Sequence, residues 1–383
     1  MPRLNNAPRD SGLAPRFPAM VLLAPESSHL RVAALSVLDR LLVALHRAGC
    51  DSLEIVGQAG DLPSLARTEA WGIPYRVVSA PSPRRGPVLV VRSDTLVQAE
   101  DFRALLAGPS GTRLATKDGG GLPVGWGEVG MGDPVAALEK ASIRRATGVA
   151  CPVRNAGEAA VAARSLWALI TSSSDGWVDR VFNRPMGRPL SKWLVHTSAT
   201  PNAISVVSTL IGLVAAALFA TGNPGLGVVA GIVFQISAIV DCVDGDVARA
   251  VFKETAIGKW VDLVGDQVVH VAVFAGIAAG CVADGEGAAA GWLGVSAAIG
   301  AACSFLVVLR GMRLVRERGG GSGVIQRVLD AVTNRDFSVL VLALALVDRL
   351  VWFLWLAGIG IHVFWLGLLV LQWRAVRGRG ESK

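Results

Sequence analysis

The sequence predicts two structural classes in one chain: an α/β domain over residues 20–172, followed by an all-α membrane domain over residues 200–375. In the first region, short β-rich runs alternate with amphipathic helical runs, which is typical of a parallel sheet covered by helices on both faces. In the second, apolar segments near the length needed to cross a bilayer recur about six times. A hydrophobic content of 52% and a mean hydropathy of +0.49 agree with a chain that is part soluble and part membrane-embedded.

The N-terminal region begins with residues 1–19, which contain Pro and Arg and lack the apolar core of a signal peptide. We expect this segment to be disordered and cytoplasmic. The β-rich runs that follow predict strands at 20–24, 53–57, 75–78, 87–91, 113–116 and 148–153. Helices are predicted at 32–49, 61–70, near Asp101, at 133–141 and from Ala156.

Two stretches of this domain, SVLDRLLVALHRAGCDSLEIVG and PVLVVRSD, resemble the sugar-nucleotide type of nucleotidyltransferase. Asp94 falls where that family keeps a metal-binding aspartate. The family's glycine-rich phosphate loop is replaced by Ala24-Pro25-Glu26-Ser27-Ser28, in which proline removes an N–H donor and Glu26 would repel a phosphate. We therefore expect a domain that has lost catalysis and serves as a scaffold or partner surface, with an enzymatic role for Asp94 as the alternative.

The connecting segment, residues 173–199, mixes Trp177, Val178, Val181, Phe182 and Trp193 with Arg180, Arg184, Arg188 and Lys192. Aromatic and cationic side chains in alternation are typical of a segment lying in the lipid headgroup layer. We expect Pro185 and Pro189 to break it into pieces. An ordinary interdomain linker is the alternative.

The apolar segments centre on residues 203–220, 225–249, 257–280, 288–309, 337–352 and 354–373, and Asp348-Arg349 marks a turn between the last two. Arginines crowd the loop from Arg310 to Arg335 and the basic tail at 376–383, whereas the loops TGNP and ADGEGA contain no Lys or Arg. By the positive-inside rule, both termini and the 250–256 loop are predicted to be cytoplasmic in a multi-pass protein of the plasma membrane.

One stretch where two apolar segments meet contains charged residues, and burying each charge at membrane depth would cost about 3 kcal/mol of free energy. Helical periodicity places Asp241, Asp244, Gly245, Ala248 and Arg249 on one face. Gly258, Asp262 and Asp266 then follow at four-residue steps along one face of the next helix. If the helices form a hairpin, the carboxylates converge and need a hard divalent cation, Mg²⁺ or Mn²⁺.

These eight positions, in this order and spacing, resemble the complete signature of the CDP-alcohol phosphotransferase family over roughly residues 190–375. The resemblance implies a Mg²⁺-dependent reaction in which an alcohol attacks the β-phosphorus of a CDP-alcohol and CMP leaves. It implies two metal ions, with Asp241, Asp244 and Asp262 as ligands and Asp266 as the base, which could also touch the second metal. Gly245, Ala248 and Gly258 would belong to the CDP-alcohol site.

Arg249 is expected to neutralise the site or contact phosphate, and Asn202 resembles a family position near the donor's phosphates. Arg310, Arg313 or Arg316 could grip an acidic acceptor such as an inositol phosphate. The fused architecture resembles bifunctional inositol-phosphate cytidylyltransferase/di-inositol-phosphate-phosphate synthases. The donor is accordingly CDP-inositol or CDP-diacylglycerol, and the acceptor an alcohol or polyol phosphate. A homodimer in the lipid bilayer is expected from the family, and no nucleic-acid partner.

Other interpretations remain at this stage. Intramembrane prenyltransferases also pair aspartate-rich motifs with Mg²⁺, although the Gly-x-x-Ala-Arg element has no place in them, and a transporter would use buried carboxylates for ion coupling. Asp246 lies off the shared face and is expected to be a solvated carboxylate at the helix end. His270, one turn beyond Asp266, is expected to be a hydrogen-bonded helix residue.

Overall fold

The computed structural model of the chain describes residues 17–82, 86–128, 141–170, 176–317 and 337–377. The predicted helix at 133–141 lies almost wholly outside these residues, as do most of the arginine-rich loop and the basic tail. The chain forms two compact units: residues 1–170 together with 250–255, and residues 171–249 together with 256–383.

The first unit is built on a seven-stranded sheet in the order β10-β8-β9-β6-β1-β4-β5, accompanied by two short two-stranded pairings. The strands are β1 (Phe17–Leu22), β2 (Arg31–Val32), β3 (Leu35–Ser36), β4 (Cys50–Val56), β5 (Tyr75–Val78), β6 (Val88–Arg92), β7 (Thr95–Leu96), β8 (Thr112–Ala115), β9 (Gly121–Gly127), β10 (Ser142–Arg145) and β11 (Cys151–Pro152).

The predicted α/β class is confirmed, but the sheet is mixed and not wholly parallel. Strand β1 pairs in parallel with β4 and β6, whereas β9 runs antiparallel to both β6 and β8. The sequence of β9, GLPVGWG, conceals a strand because its glycines and proline are depleted in strands generally. The short connection from β8, with Gly119 at φ +93°, makes the antiparallel return possible.

Among the described residues of this unit, the helices are α1 (Val37–Ala48), α2 (Ala66–Ala70), α3 (Ala99–Leu106) and α4 (Ala156–Leu169). Helix α1 begins five residues later than Val32, where the helix was predicted to start. Ala33 and Ala34 have positive φ angles in the β2–β3 hairpin, and the hydroxyl of Ser36 then caps the helix by accepting from the Asp39 N–H at 3.2 Å. Side chains such as Leu41, Leu45 and Phe102 form the buried core between helices and sheet.

The second unit is helical. After a π-helical turn at Asp179–Asn183 come α5 (Arg184–Leu194), α6 (Pro201–Phe219), α7 (Pro224–Ala250), α8 (Ala256–Ala283), α9 (Ala288–Glu317), α10 (Phe337–Leu346) and α11 (Leu350–Arg377). Within the described residues, five helices are long and apolar enough to cross a membrane, namely α6, α7, α8, α9 and α11. The prediction of about six is close, since α10 is a shorter apolar helix. It ends at Leu346, before the predicted 352, because the chain turns at Asp348 with φ +56°.

The connecting segment is helical through both prolines, so the prediction that they break it is wrong. Pro185 lies in the first turn of α5, where a helix does not need the missing N–H. Trp177 and Trp193 are 73% and 64% exposed, whereas Asn183 and Arg184 point inward and are buried. An apolar exposed face with a polar buried face agrees with a segment lying at a membrane surface.

Helices α6 and α8 approach each other closely through glycines. A Cβ added at Gly276 would lie 2.2 Å from the carbonyl oxygen of Ala216, and one at Gly280 would lie 2.1 Å from that of Phe219. Small residues four positions apart on one helix allow such backbone contact in membrane helices. This packing fixes α6 against the helix that carries Asp262 and Asp266.

Candidate metal centre

Three of the predicted carboxylates meet in the second unit. Asp241 and Asp244 lie on α7 and Asp262 on α8, and one oxygen from each falls within 4.8 Å of the others. Asp244 is buried, and its two companions are half-buried. The hairpin expected from the spacing therefore brings these groups together.

Helix α6 supplies hydroxyl groups to two of these carboxylates. Ser205 donates its hydroxyl to Asp244, and Ser208 donates to Oδ1 of Asp241 at 3.3 Å. The sequence interpretation missed both serines, although two hydroxyls three residues apart in an apolar helix were a usable signal. Asn202 lies in the first turn of α6, three residues before Ser205.

Three like charges this close repel strongly in a low-dielectric environment. The hydroxyls of Ser205 and Ser208 are neutral and cannot offset them. Carboxylate oxygens are the ligands that Mg²⁺ and Mn²⁺ prefer, so the donor set fits a hard divalent cation.

Asp266 is not among these three clustered carboxylates. It lies one helical turn beyond Asp262 and lines a cavity of about 460 Å³ formed by α8, α9, α10 and α11. Most of the lining is apolar, with Phe274, Phe305 and Phe353 among its members. The carboxylate of Asp266 therefore lies between the carboxylate cluster and the apolar cavity.

Polar atoms in this cavity are left without partners. Gln267 Nε2, His270 Nε2 and Ser304 Oγ are buried and make no hydrogen bond to any residue that the structure describes. The expectation of a hydrogen-bonded His270 is thus wrong for Nε2; the ring instead packs edge-on against Phe337, with centroids 5.0 Å apart. Unsatisfied buried groups of this kind cost free energy unless a ligand or water pairs with them.

The expectation that Asp246 is a solvated carboxylate is also wrong, because its side chain is 1% exposed. It pairs with Arg184 of α5, and its Oδ1 lies 3.4 Å from Nη2 of Arg249. Nearby, Asn183 donates to Asp179 at 2.7 Å and accepts from Gln235 at 2.5 Å. The α5 segment is thus joined to α7 through charges and amides that no periodicity indicates.

The motif arginine lies over the motif glycine. A Cβ at Gly245 would lie 2.8 Å from Nη2 of Arg249, so the glycine leaves room for this guanidinium. Asp246 holds one end of the group, while its buried Nε has no partner among the described residues. Asp246 therefore orients this guanidinium over Gly245.

The other predicted site residues are placed as follows. Ala248 and Gly258 are half-buried, near the end of α7 and in the first turn of α8. Arg310 and Arg313 are exposed near the end of α9, and the side chain of Arg316 lies outside the described part of the chain.

The predicted nucleotidyltransferase features sit in the first unit. Asp94 is buried and receives two hydrogen bonds from Arg92, at 2.7 and 2.6 Å. This pairing raises the pKa of Arg92. In the loop that replaces the phosphate loop, the Ala24 N–H donates to the Ser93 hydroxyl and the Ser27 and Ser28 N–H groups donate to the Ala24 carbonyl.

Together, the apolar helices define a polytopic membrane protein, and its carboxylate cluster has the ligand atoms that a divalent cation would need. Residues 198–373 match the family described as CDP-alcohol phosphatidyltransferase. The C-terminal region is therefore a CDP-alcohol phosphatidyltransferase domain, and the resemblance found in the motif is confirmed.

Curated relatives resemble parts of the chain. A protein of Aquifex aeolicus named "Bifunctional IPC transferase and DIPP synthase" is 38% identical over 109 residues, which are 28% of this chain and 24% of that protein. The "Archaetidylinositol phosphate synthase" of Pyrococcus horikoshii is 32% identical over 97 residues, 25% of this chain and 50% of that protein. The "Phosphatidylinositol phosphate synthase" of Mycobacteroides abscessus is 36% identical over 90 residues, 23% of this chain and 40% of that protein. The chain thus spans half or less of the length of these relatives.

Proposed function

We propose that the protein is a membrane phosphotransferase that moves a substituted phosphate group from a CDP-alcohol to the hydroxyl of an acceptor alcohol. The oxygen of the acceptor forms a bond to the β-phosphorus, and the bond from that phosphorus to the oxygen of CMP breaks. The observation that carries this proposal is the convergence of Asp241, Asp244 and Asp262 within 4.8 Å on two helices. The family match of residues 198–373 supports it.

Asp241, Asp244 and Asp262 would hold Mg²⁺ or Mn²⁺, as two ions with a contribution from Asp266. Bound there, the metal would neutralise the diphosphate and stabilise the attacking and departing oxygens. Asp266 accepts the proton of the acceptor hydroxyl. Ser205 and Ser208 hold two of the ligand carboxylates in place.

The donor's phosphates would lie against Arg249 and Asn202. The buried Nε of Arg249 can donate to a phosphate oxygen, which supports this role. Ala248, Gly258 and Gly245 would flank the cytidine, although at Gly245 the space above the backbone is taken by Arg249. Arg310, Arg313 and Arg316 would attract an acidic acceptor from the end of α9.

CDP-diacylglycerol is the donor that the cavity favours. A chamber of about 460 Å³ beside Asp266 whose walls are mostly apolar suits the apolar chains of a lipid. The names of the Pyrococcus and Mycobacteroides relatives support an inositol phosphate as acceptor. CDP-inositol as donor is the second candidate, and the name of the Aquifex relative favours it.

The α/β domain would be non-catalytic. The N–H groups of Ala24, Ser27 and Ser28 already have hydrogen-bond partners, and Asp94 is paired with Arg92, so neither a phosphate nor a metal is readily accommodated. We place the protein in the plasma membrane with both termini cytoplasmic, following the arginine distribution, and expect a homodimer. Impermeant-maleimide labelling of Thr255→Cys, expected only after permeabilisation, tests the orientation, and the mass of the purified complex tests the dimer.

The decisive experiment crosses a panel of CDP-alcohols with polyol and polyol-phosphate acceptors, with mass spectrometry of the products and measurement of CMP. We expect CMP release that EDTA abolishes and Mg²⁺ or Mn²⁺ restores. Asp266→Asn should lower turnover at least about 100-fold because the base is lost. Asp241→Asn should in addition weaken Mn²⁺ binding.

The matched control is Asp284→Asn, which alters an exposed carboxylate in the turn after α8 and should leave turnover unchanged. Consumption of a prenyl diphosphate without CMP would establish a prenyltransferase instead. Carboxylate-dependent ion flux without CMP would establish a transporter.

A further inference from the structure

The segment Ala250–Thr255 contains the last residue of α7 and the connection to α8, and so links the two halves of the carboxylate motif. It belongs to the first compact unit, together with residues 1–170, whereas the helices on either side belong to the second. A short connection between antiparallel helices needs no partner of its own. The contacts that this segment makes inside the first unit therefore call for an explanation.

The first contact is at the backbone. Arg40 of α1 is 2% exposed and donates from Nη2 to the carbonyl oxygen of Ala250 at 2.6 Å. The same guanidinium donates to the carbonyl oxygens of Val32 and Ala33 at 2.6 and 2.7 Å. Burial lowers the pKa of Arg40 to about 9, so the group remains charged at neutral pH. A buried cation thus ties the start of the segment to the β2–β3 hairpin.

The second contact is the ring of Phe252. The Arg47 guanidinium carbon lies 4.7 Å from the ring centroid and that of Arg40 lies 5.5 Å from it. Trp71 packs edge-on against the same ring, with centroids 6.4 Å apart. Phe252 adopts φ +53°, an unfavourable backbone conformation for a bulky residue, and these contacts offset its cost.

The third contact is an ion pair. Arg47 binds the carboxylate of Glu254, two residues beyond the ring that it covers. Arg40 and Arg47 are seven residues apart on α1 and therefore share one face of that helix. One helix face thus holds the segment at Ala250, Phe252 and Glu254.

We call this set of contacts the Phe252 clasp; its members are Arg40, Arg47 and Trp71 on one side and Ala250, Phe252 and Glu254 on the other. We propose that the clasp positions the two carboxylate helices, α7 and α8, for metal binding and phosphotransfer. The segment lies between Arg249 and Gly258 of the motif, so its path sets how α7 and α8 begin and end. Displacements of about 1 Å at a catalytic site can cost 100-fold in rate. The clasp gives the α/β domain a role in positioning α7 and α8, and that role requires no nucleotide chemistry. Its positioning role rests on the proposed function.

The test uses the full-length protein and Phe252→Ala, with three measurements. Trypsin cleavage after Lys253 should accelerate as the segment is released. Mn²⁺ affinity, measured from the electron paramagnetic resonance signal of the free ion, should fall about tenfold, as for other residues that support ligands indirectly. The kcat for CMP release should fall by a similar factor while KM for the acceptor changes little. Phe252→Trp should rescue all three.

Ile143→Ala, which removes an exposed apolar side chain from the first unit, is the matched control and should behave as the native protein. If Phe252→Ala fails to fold, Arg47→Lys keeps the charge but loses the planar group stacked on two rings, and the same losses are expected. Faster cleavage with native Mn²⁺ affinity would overturn the positioning role. Because Mn²⁺ binding is measured without substrate, this outcome is distinct from a failure of the proposed reaction, which would show as absent CMP with the Mn²⁺ effect intact.

Discussion

At the scale of single residues, the charges around the site are arranged in a buried network. Asp246 accepts from Arg184 and Arg249, and so links the α5 segment to the motif arginine. Removing one partner of a buried pair leaves the other charge uncompensated, which costs more than the pair itself contributes.

Asp246→Asn is therefore expected to destabilise the protein by about 3 kcal/mol and to lower turnover about tenfold, because Arg184 loses its counter-charge and Arg249 its orientation. Thermal unfolding in detergent and CMP release measure the two effects. The pair variant Arg184→Met with Asp246→Leu should recover stability without recovering turnover. Recovery of both would show that Asp246 has no part in orienting Arg249.

At the scale of helices, the site depends on how closely α6 lies against α8. The backbone contacts at Gly276 and Gly280 bring the serines of α6 to the carboxylates of α7 and fix α8 beside them. If either glycine is replaced, the added Cβ clashes with a backbone carbonyl oxygen. No change of rotamer can relieve this clash, so the helices must move apart.

Gly276→Ala should cost about 2 kcal/mol of stability and reduce turnover, since the new Cβ would meet the carbonyl oxygen of Ala216 at 2.2 Å. Gly360→Ala on α11 is the control: nothing lies within 4 Å of its added Cβ. That change should be neutral or slightly stabilising because alanine favours helix. Equal behaviour of the two variants in thermal unfolding and CMP release would contradict the close-packing argument.

Element boundaries show where local sequence was insufficient. The start of α1 was predicted five residues early because the β2–β3 hairpin depends on positive φ angles at Ala33 and Ala34. Alanine rarely adopts such angles, so the hairpin was not evident from the sequence. Strand β9 was missed because its pairing on both sides outweighs its glycines. The helix through Pro185 and Pro189 persists because its buried face is held by Asn183 and Arg184.

At the scale of the whole molecule, the two units divide the work. The helical unit contains the carboxylates and the cavity, and the α/β unit contains the clasp. The α/β unit is thus proposed to act here as a support, since fold alone does not determine function.

Supplying CTP with a polyol phosphate should accordingly yield no pyrophosphate. The Ala24–Ser28 loop offers few free N–H groups to bind phosphate, and the Asp94 carboxylate is already paired with Arg92. Asp94→Asn should leave CMP release from the CDP-alcohol unchanged. Pyrophosphate release that Asp94→Asn abolishes would instead establish a second, catalytic domain.

The sequence by itself determined the α/β and membrane-helical classes, the carboxylate positions and the family of the membrane domain. The classes and the positions follow from helical periodicity and short spacings, which residues close in the chain impose on one another, and the family follows from the resemblance of the motif. Only the tertiary structure decided that Ser205 and Ser208 support the carboxylates, that Asp246 is buried, and that a cavity adjoins Asp266. Arg184, which pairs with Asp246, and Arg47, which pairs with Glu254, lie 62 and 207 residues away from these carboxylates along the chain, and such contacts arise from packing that no local pattern encodes.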